Sequence, residues 1–127
     1  MIETINPIVG GAIIRAAKVT ANQPASYAAY VDLSNMQSGD EVAFWIEYDV
    51  GGQDNPVPAG TIETISYDDI AQTYDAGGPN EETVLNAGWA LEPVMLEAGQ
   101  VSQVALVQTA GVAKAFTIRN TNQLNGQ

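Results

Sequence analysis

The stretch "EVAFWIEYDV" at residues 41–50 decides how this chain folds. Its even positions, Val42, Phe44, Ile46, Tyr48 and Val50, are all apolar or aromatic. Its odd positions, Glu41, Ala43, Trp45, Glu47 and Asp49, carry three carboxylates. Alternation with period two sends the two sets to opposite faces of a β-strand. β-branched and aromatic side chains suit a pleated surface that is buried on one side. Burying one such side chain contributes ~1.5–3 kcal/mol, so the even face reads as core and the strand as central. The odd face, with Glu47 and Asp49 roughly 7 Å apart along the strand, reads as solvated.

The same alternation recurs on both sides of this segment. It predicts strands over 12–20, 26–34, 59–67, 86–96 (broken by Pro93), 102–110 and 114–120, in addition to 41–50. Turn-forming clusters separate them: "NQP", "SGD", "GGQDNPVP", "DAGGPN", "EAGQ" and "AGVA". Tyr27, Ala29, Val31 and Leu33 face inward, with Tyr30 and Asp32 outward. "VALV" at 104–107 is apolar on both faces, as expected of a strand covered on both sides. Helical competitors are weak. Gly88 and Pro93 interrupt 82–96, and "YDDIAQTYDA" at 67–76 holds one helical turn at most and reads as a loop.

Seven or eight short antiparallel strands define an all-β chain of β-sandwich, jelly-roll-like class. A length of 127 residues suits one domain. The expected organisation is a flexible N-terminal arm over 1–11, loosened by Pro7, Gly10 and Gly11, then a sandwich over 12–120 and a polar tail over 121–127.

Composition narrows the function. The chain has no cysteine and no histidine. Disulfides, thiolate metal sites, cysteine nucleophiles and the Ser-His-Asp arrangement are excluded together. The commonest general base is missing as well, so a non-enzymatic role without a cofactor is expected. The net charge is −11, and no Lys or Arg lies between Val19 and Ala113. The four cations are Arg15, Lys18, Lys114 and Arg119. Such a surface repels nucleic acid and anionic membranes, which require clustered cations. The opening "MIETINPIVGGAII" has an acid and no basic region, so neither a signal peptide nor a membrane span is expected in it.

Three constellations invite a chemical reading. "EYDVGG" partly resembles the E-x-D-x-x-E strand of laminarinase-type jelly-roll glycoside hydrolases, in which the outer two glutamates are nucleophile and acid/base. Gly52 stands where that resemblance needs the second glutamate, so Glu47 and Asp49 read as a wet face. The acids of 68–82, including Asp68, Asp69, Asp75, Glu81 and Glu82, are the one stretch to test for calcium, yet they follow no EF-hand spacing. Trp45 and Trp89 are candidate stacking platforms for sugar rings, the basis of an alternative reading as a carbohydrate-binding module.

The last third carries a resemblance. "VALVQTAGVAKAFTIRN" resembles the C-terminal strand pair of small β-sandwich structural proteins of tailed bacteriophages, through Val104, Leu106, Gln108, Thr109, Gly111, Lys114 and Phe116. "SGDEVAFWIEYDV" is similar to the S/T-G-D-x-V strand start of the same proteins. The resemblance implies a virion structural protein, its members including capsid decoration (cement) proteins and tail-associated modules, between which the motif does not choose. It also implies a location on the capsid exterior after synthesis in the host cytoplasm, a major capsid protein as partner, and a homo-oligomer. Terminal strands are often neighbours. Arg15, Lys18, Lys114 and Arg119 are therefore expected to converge on one capsid-contacting patch, with Trp45 and Trp89 as candidate aromatic contacts.

Overall fold

The computed structural model describes residues 2–49, 56–75 and 81–124. Along the chain run β1 (Ile2–Ile5), β2 (Ile14–Arg15), β3 (Val19–Thr20), β4 (Ala25–Asp32), β5 (Glu41–Asp49), β6 (Pro56–Pro58) and β7 (Glu63–Ser66). After them come α1 (Tyr67–Ile70), β8 (Ala71–Asp75), β9 (Glu81–Leu85), β10 (Gly88–Ala90), β11 (Val94–Leu96), β12 (Val101–Ala110) and β13 (Phe116–Leu124). One sheet has the order β1-β13-β4-β10, with β11 also on β4. The other has the order β2-β12-β5-β6, with β3 on β12 and β7 on β5. Every pairing is antiparallel, and β8 and β9 pair with each other as a separate ribbon.

The expected all-β sandwich is therefore the fold. Its interior is filled from both sheets: Tyr27, Val31, Phe116 and Ile118 from the first meet Val42, Phe44, Ile46, Val104 and Leu106 from the second. Phe44 is fully buried and Ile46 is 2% exposed, as the alternation of 41–50 requires. Burial pushes the Tyr27 phenol pKa up to about 12, with the charge of Glu3 adding to it, so this core tyrosine is neutral at physiological pH.

Among the described residues there are thirteen strands: two expected strands are split, and β1, β6, β8 and β9 lie outside the expected set. Arg15 pairs with Ala105 and Thr20 with Val101, a register offset of one residue, so the ladder breaks across 16–18. Gly88 pairs with Asp32 but Val94 with Tyr27, the same offset, and Pro93 at the break has no N–H to donate. The stretch 67–76 contains the helical turn α1, capped by Ser66 and Asp69, and then β8.

The two terminal expectations need correction. Residues 2–5 are the edge strand β1, in register with β13 from Ile2 opposite Arg119 to Ile5 opposite Phe116. Ile5 and Pro7 are buried, and the Glu3 carboxylate accepts a 2.7 Å hydrogen bond from the Ala17 amide. The backbone amide of Gly10 then reaches the Gln108 carbonyl. This segment crosses from one sheet to the other and ties both, which an arm would not do. At the other end β13 continues through 121–124 against β4, so the expected tail contributes strand, and 125–127 lie outside the described residues.

The middle of the odd face of β5, at Ala43, Trp45 and Glu47, is also not solvated, while Glu41 and Asp49 at its ends are partly exposed. Ala43, Trp45 and Ala105 form a second buried cluster on the outside of the second sheet, with Val107 packed against it. Trp45 is 7% exposed and Ala105 lies directly opposite it in the ladder. A large ring laid over alanines excludes water from a face that period two alone marks as wet.

Ile46→Val and Trp45→Phe should each lower the unfolding free energy by about 1 kcal/mol, although they point to opposite sides of β5. The first removes one core methylene, and the second removes the indole donor to Glu47 while keeping an aromatic ring. Urea unfolding measures both. A neutral Trp45→Phe would mean that the outer face is solvated after all.

Candidate functional site

Among the described residues, two buried carboxylates organise the polar chemistry. The first is Glu47, 3% exposed on the outer face of the second sheet. Its position is set by the ladder: β5 places it opposite Gln103 of β12, while β2 brings Arg15 to the far side of β12. Arg15 Nε donates to Oε1 at 2.7 Å and Arg15 Nη2 to Oε2 at 3.3 Å, a forked pairing. Trp45 Nε1 donates to Oε2 at 3.2 Å and Gln103 Nε2 to Oε1 at 3.1 Å. Below them the Ser102 hydroxyl donates to the Glu47 carbonyl. Burial alone would raise the Glu47 carboxyl, but the donors Arg15, Gln103 and Trp45, together with the Arg15 charge, outweigh it and hold the pKa below its ordinary value.

The second is Asp40, 2% exposed, in the turn before β5. Its Oδ2 accepts from the Gln37 amide at 2.8 Å and from Lys114 Nζ at 2.9 Å, and its Oδ1 accepts from the Val112 amide at 2.9 Å. Gly111 makes this approach possible. It has φ +93°, and a Cβ there would collide with both the side chain and the Cα of Asp40. Gln108 completes the knot from the other side and has no exposed surface. Its Nε2 donates to the carbonyls of Ala110 and Val112, and its Oε1 accepts from the Lys114 amide. Burial again pushes the Asp40 carboxyl up, while Lys114 and the Gln37 and Val112 amides pull it to a net value below normal.

Both carboxylates thus have folded-state pKa values below their unfolded ones. The unfolded chain binds protons first as pH falls, so their contribution is complete at neutral pH and is lost as pH drops through the folded values. Unfolding free energy should be flat between about pH 6 and 8 and should decline below about pH 4.5, the ordinary carboxylate range. Urea titrations at stepped pH measure it. Glu47→Gln should flatten part of that decline, whereas an unchanged slope would detach Glu47 from it.

The four cations do not form one patch. Arg15 belongs to the outer face of the second sheet and is tied to Glu47. Lys114 closes the Asp40 knot at the end of the sandwich, and Lys18, between β2 and β3, has an interaction of its own. Arg119 lies on β13, on the outer face of the first sheet. The neighbour of the last strand is β1, as expected of chain termini, but the N-terminal cations sit beyond it on and after β2, in the other sheet.

Trp45 is buried and bonded to Glu47 and offers no open ring face, while Trp89 is half-buried and packed against the core. Among the described residues the exposed aromatic ring is Tyr30 of β4, 41% accessible, which alternation places outward without marking it as a site. Within 68–82, Asp69 is occupied by the helix cap, accepting from the Ser66 amide and hydroxyl. Residues 76–80 lie outside the described residues, as do Gly52, Asp54 and Asn55. Among the described residues, no group of three or more His, Cys, Asp or Glu is placed to hold a metal ion.

Comparison with known protein families, curated proteins and solved structures finds no match to this chain.

Proposed function

We propose that the protein is a non-enzymatic virion structural protein of the capsid-decoration type, which binds the outer surface of the major capsid shell and stabilises it. The observation that carries this reading is the Asp40 knot. The residues of the phage-like resemblance come from two segments far apart in sequence, "SGD" at 38–40 and "QTAGVAK" at 108–114. Asp40 joins to Gly111, Val112 and Lys114, and Gln108 binds the same turn, so both segments form one hydrogen-bonded unit around the buried Asp40 and Gln108. A motif whose members hold one another is better support than separate turn signals.

The chemistry of the two carboxylates agrees with a structural role. Glu47 accepts four hydrogen bonds from side chains, and Asp40 accepts two from backbone amides and one from Lys114, so both are used in holding strands and turns. Decoration adds interface area across capsomer boundaries, which calls for a rigid module with a stable exposed face. A sandwich with its ends locked in this way supplies one.

Sedimentation with shells assembled from the cognate major capsid protein, lacking this chain, tests the reading. Saturable co-pelleting, together with a higher shell melting temperature, is the expected result. Failure to pellet at physiological ionic strength, where repulsion by the net negative charge is screened, would overturn it.

A further inference from the structure

The outer face of the first sheet carries one row free of acids, with Asp32 of β4 one row away on the same face. Its central row, read across β1, β13, β4 and β10, is Ile2, Arg119, Tyr30 and Ala90. No carboxylate stands in that row. Beside it lies a groove of about 330 Å³ lined by Ala28, Tyr30, Ala90, Leu91, Pro93 and Arg119. Gly88 gives the Tyr30 ring its seat, since a Cβ there would overlap the phenol. Ile2 and Met95, both 63% exposed, extend the apolar surface on either side.

Arg119 is the cation that the fold leaves for use. Arg15 and Lys114 are committed to Glu47 and Asp40, whereas Arg119 makes no ion pair among the described residues. An apolar groove beside an aromatic ring and a guanidinium recognises two things together: a large apolar side chain in the groove and a carboxylate on the guanidinium. We propose that this face docks a partner protein through a segment in which an acidic residue adjoins a large apolar one. A second copy is the weaker occupant. Face to face it would bring two chains of charge −11 together and set Arg119 near its own counterpart. The inference builds on the decoration reading by naming the side that meets the shell.

Binding of acetylated, amidated nonapeptides of Gly and Ser with a central Phe-Asp, Phe-Asn or Gly-Asp pair, followed by amide shifts in 15N spectra, tests the chemistry. Phe-Asp should shift the amides of Ala28, Tyr30, Ala90 and Arg119, and each of the other two should bind at least tenfold more weakly. Arg119→Gln and Tyr30→Ala should each weaken Phe-Asp binding about tenfold. Both sites are exposed, and unchanged spectra elsewhere verify folding. Equal binding of Phe-Asn, no shift at these four residues, or equal binding by Arg119→Gln would overturn the proposal. Concentration-dependent shifts at the same residues without peptide would overturn it in favour of self-association. The shell assay separates the two readings. If wild type and Arg119→Glu pellet equally with shells, decoration stands and this face is not the docking side. If Phe-Asp binds as expected but no shell is pelleted, the face stands and the decoration reading falls.

Discussion

Gly111→Ala should cost the protein about 4 kcal/mol or more of unfolding free energy, a large part of the margin of a domain stable by about 5–15 kcal/mol. Three effects combine. At φ +93° a side chain pays for left-handed backbone, about 1–2 kcal/mol. The new Cβ would overlap Asp40 Oδ1 and come within 2.6 Å of Asp40 Cα, so the backbone itself must shift. Overpacking of that kind typically costs about 1–3 kcal/mol. The shift also pulls Asp40 away from the Val112 amide and Lys114 Nζ, exposing a buried ion pair to partial loss. Gly39→Ala is the control. It has the same φ of +93° but no heavy atom within 4 Å of the added Cβ, so about 1–2 kcal/mol of backbone strain is all it should show. Urea unfolding of both variants decides the matter. Equal losses would mean that the close approach to Asp40 contributes nothing.

The resemblance motif acquires a physical basis from this geometry. The glycine of "QTAGVAK" is required by the acid of "SGD", and the lysine three residues after the glycine neutralises that acid. Nothing in the sequence alone pairs Asp40 with Lys114, which are 74 positions apart (114 − 40), because long-range partners leave no periodic trace. The strands are legible where periodicity is strong. The even face of β5, the inward set Tyr27, Ala29, Val31 and Leu33, and the two-sided burial of 104–106 all follow from it.

Polar residues on a strand face do not by themselves mark solvent. Glu47 sits beside a tryptophan whose ring needs cover and opposite a glutamine, and Arg15 arrives from β2 through a pairing with β12 that is invisible locally. The neighbouring of terminal strands holds for β1 and β13, yet it does not gather the terminal cations. The loosening residues Pro7, Gly10 and Gly11 disguise β1 as an arm and shift the role of first strand onto the segment carrying Arg15 and Lys18. Arg119 and Tyr30 fall on the same row for a reason of register alone, which no residue-by-residue reading supplies.

Glu47→Ala should destabilise the protein by about 3–5 kcal/mol, the usual cost of removing one partner from a buried pair. The sequence suggests near-neutrality, whereas the burial and bonding of this carboxylate require a large loss. Removing it leaves Trp45 Nε1 and Gln103 Nε2 without their acceptor inside a face closed to water, and each unsatisfied donor costs about 1–3 kcal/mol. Arg15 suffers less, since 40% of its side chain is exposed and it can turn to solvent. Glu47→Gln should fall between, because one amide oxygen still accepts while the amide nitrogen faces other donors. Arg15→Glu should be as damaging as Glu47→Ala, setting a second carboxylate against one that is 3% exposed. For that reason charge reversal at Arg15 cannot serve as a clean probe of docking, whereas reversal at Arg119 can. Thermal and urea unfolding of the three variants rank them. A neutral Glu47→Ala would return Glu47 to the solvated face, and β-glucan hydrolysis by the wild type that disappears in Glu47→Gln would replace the structural role with a catalytic one.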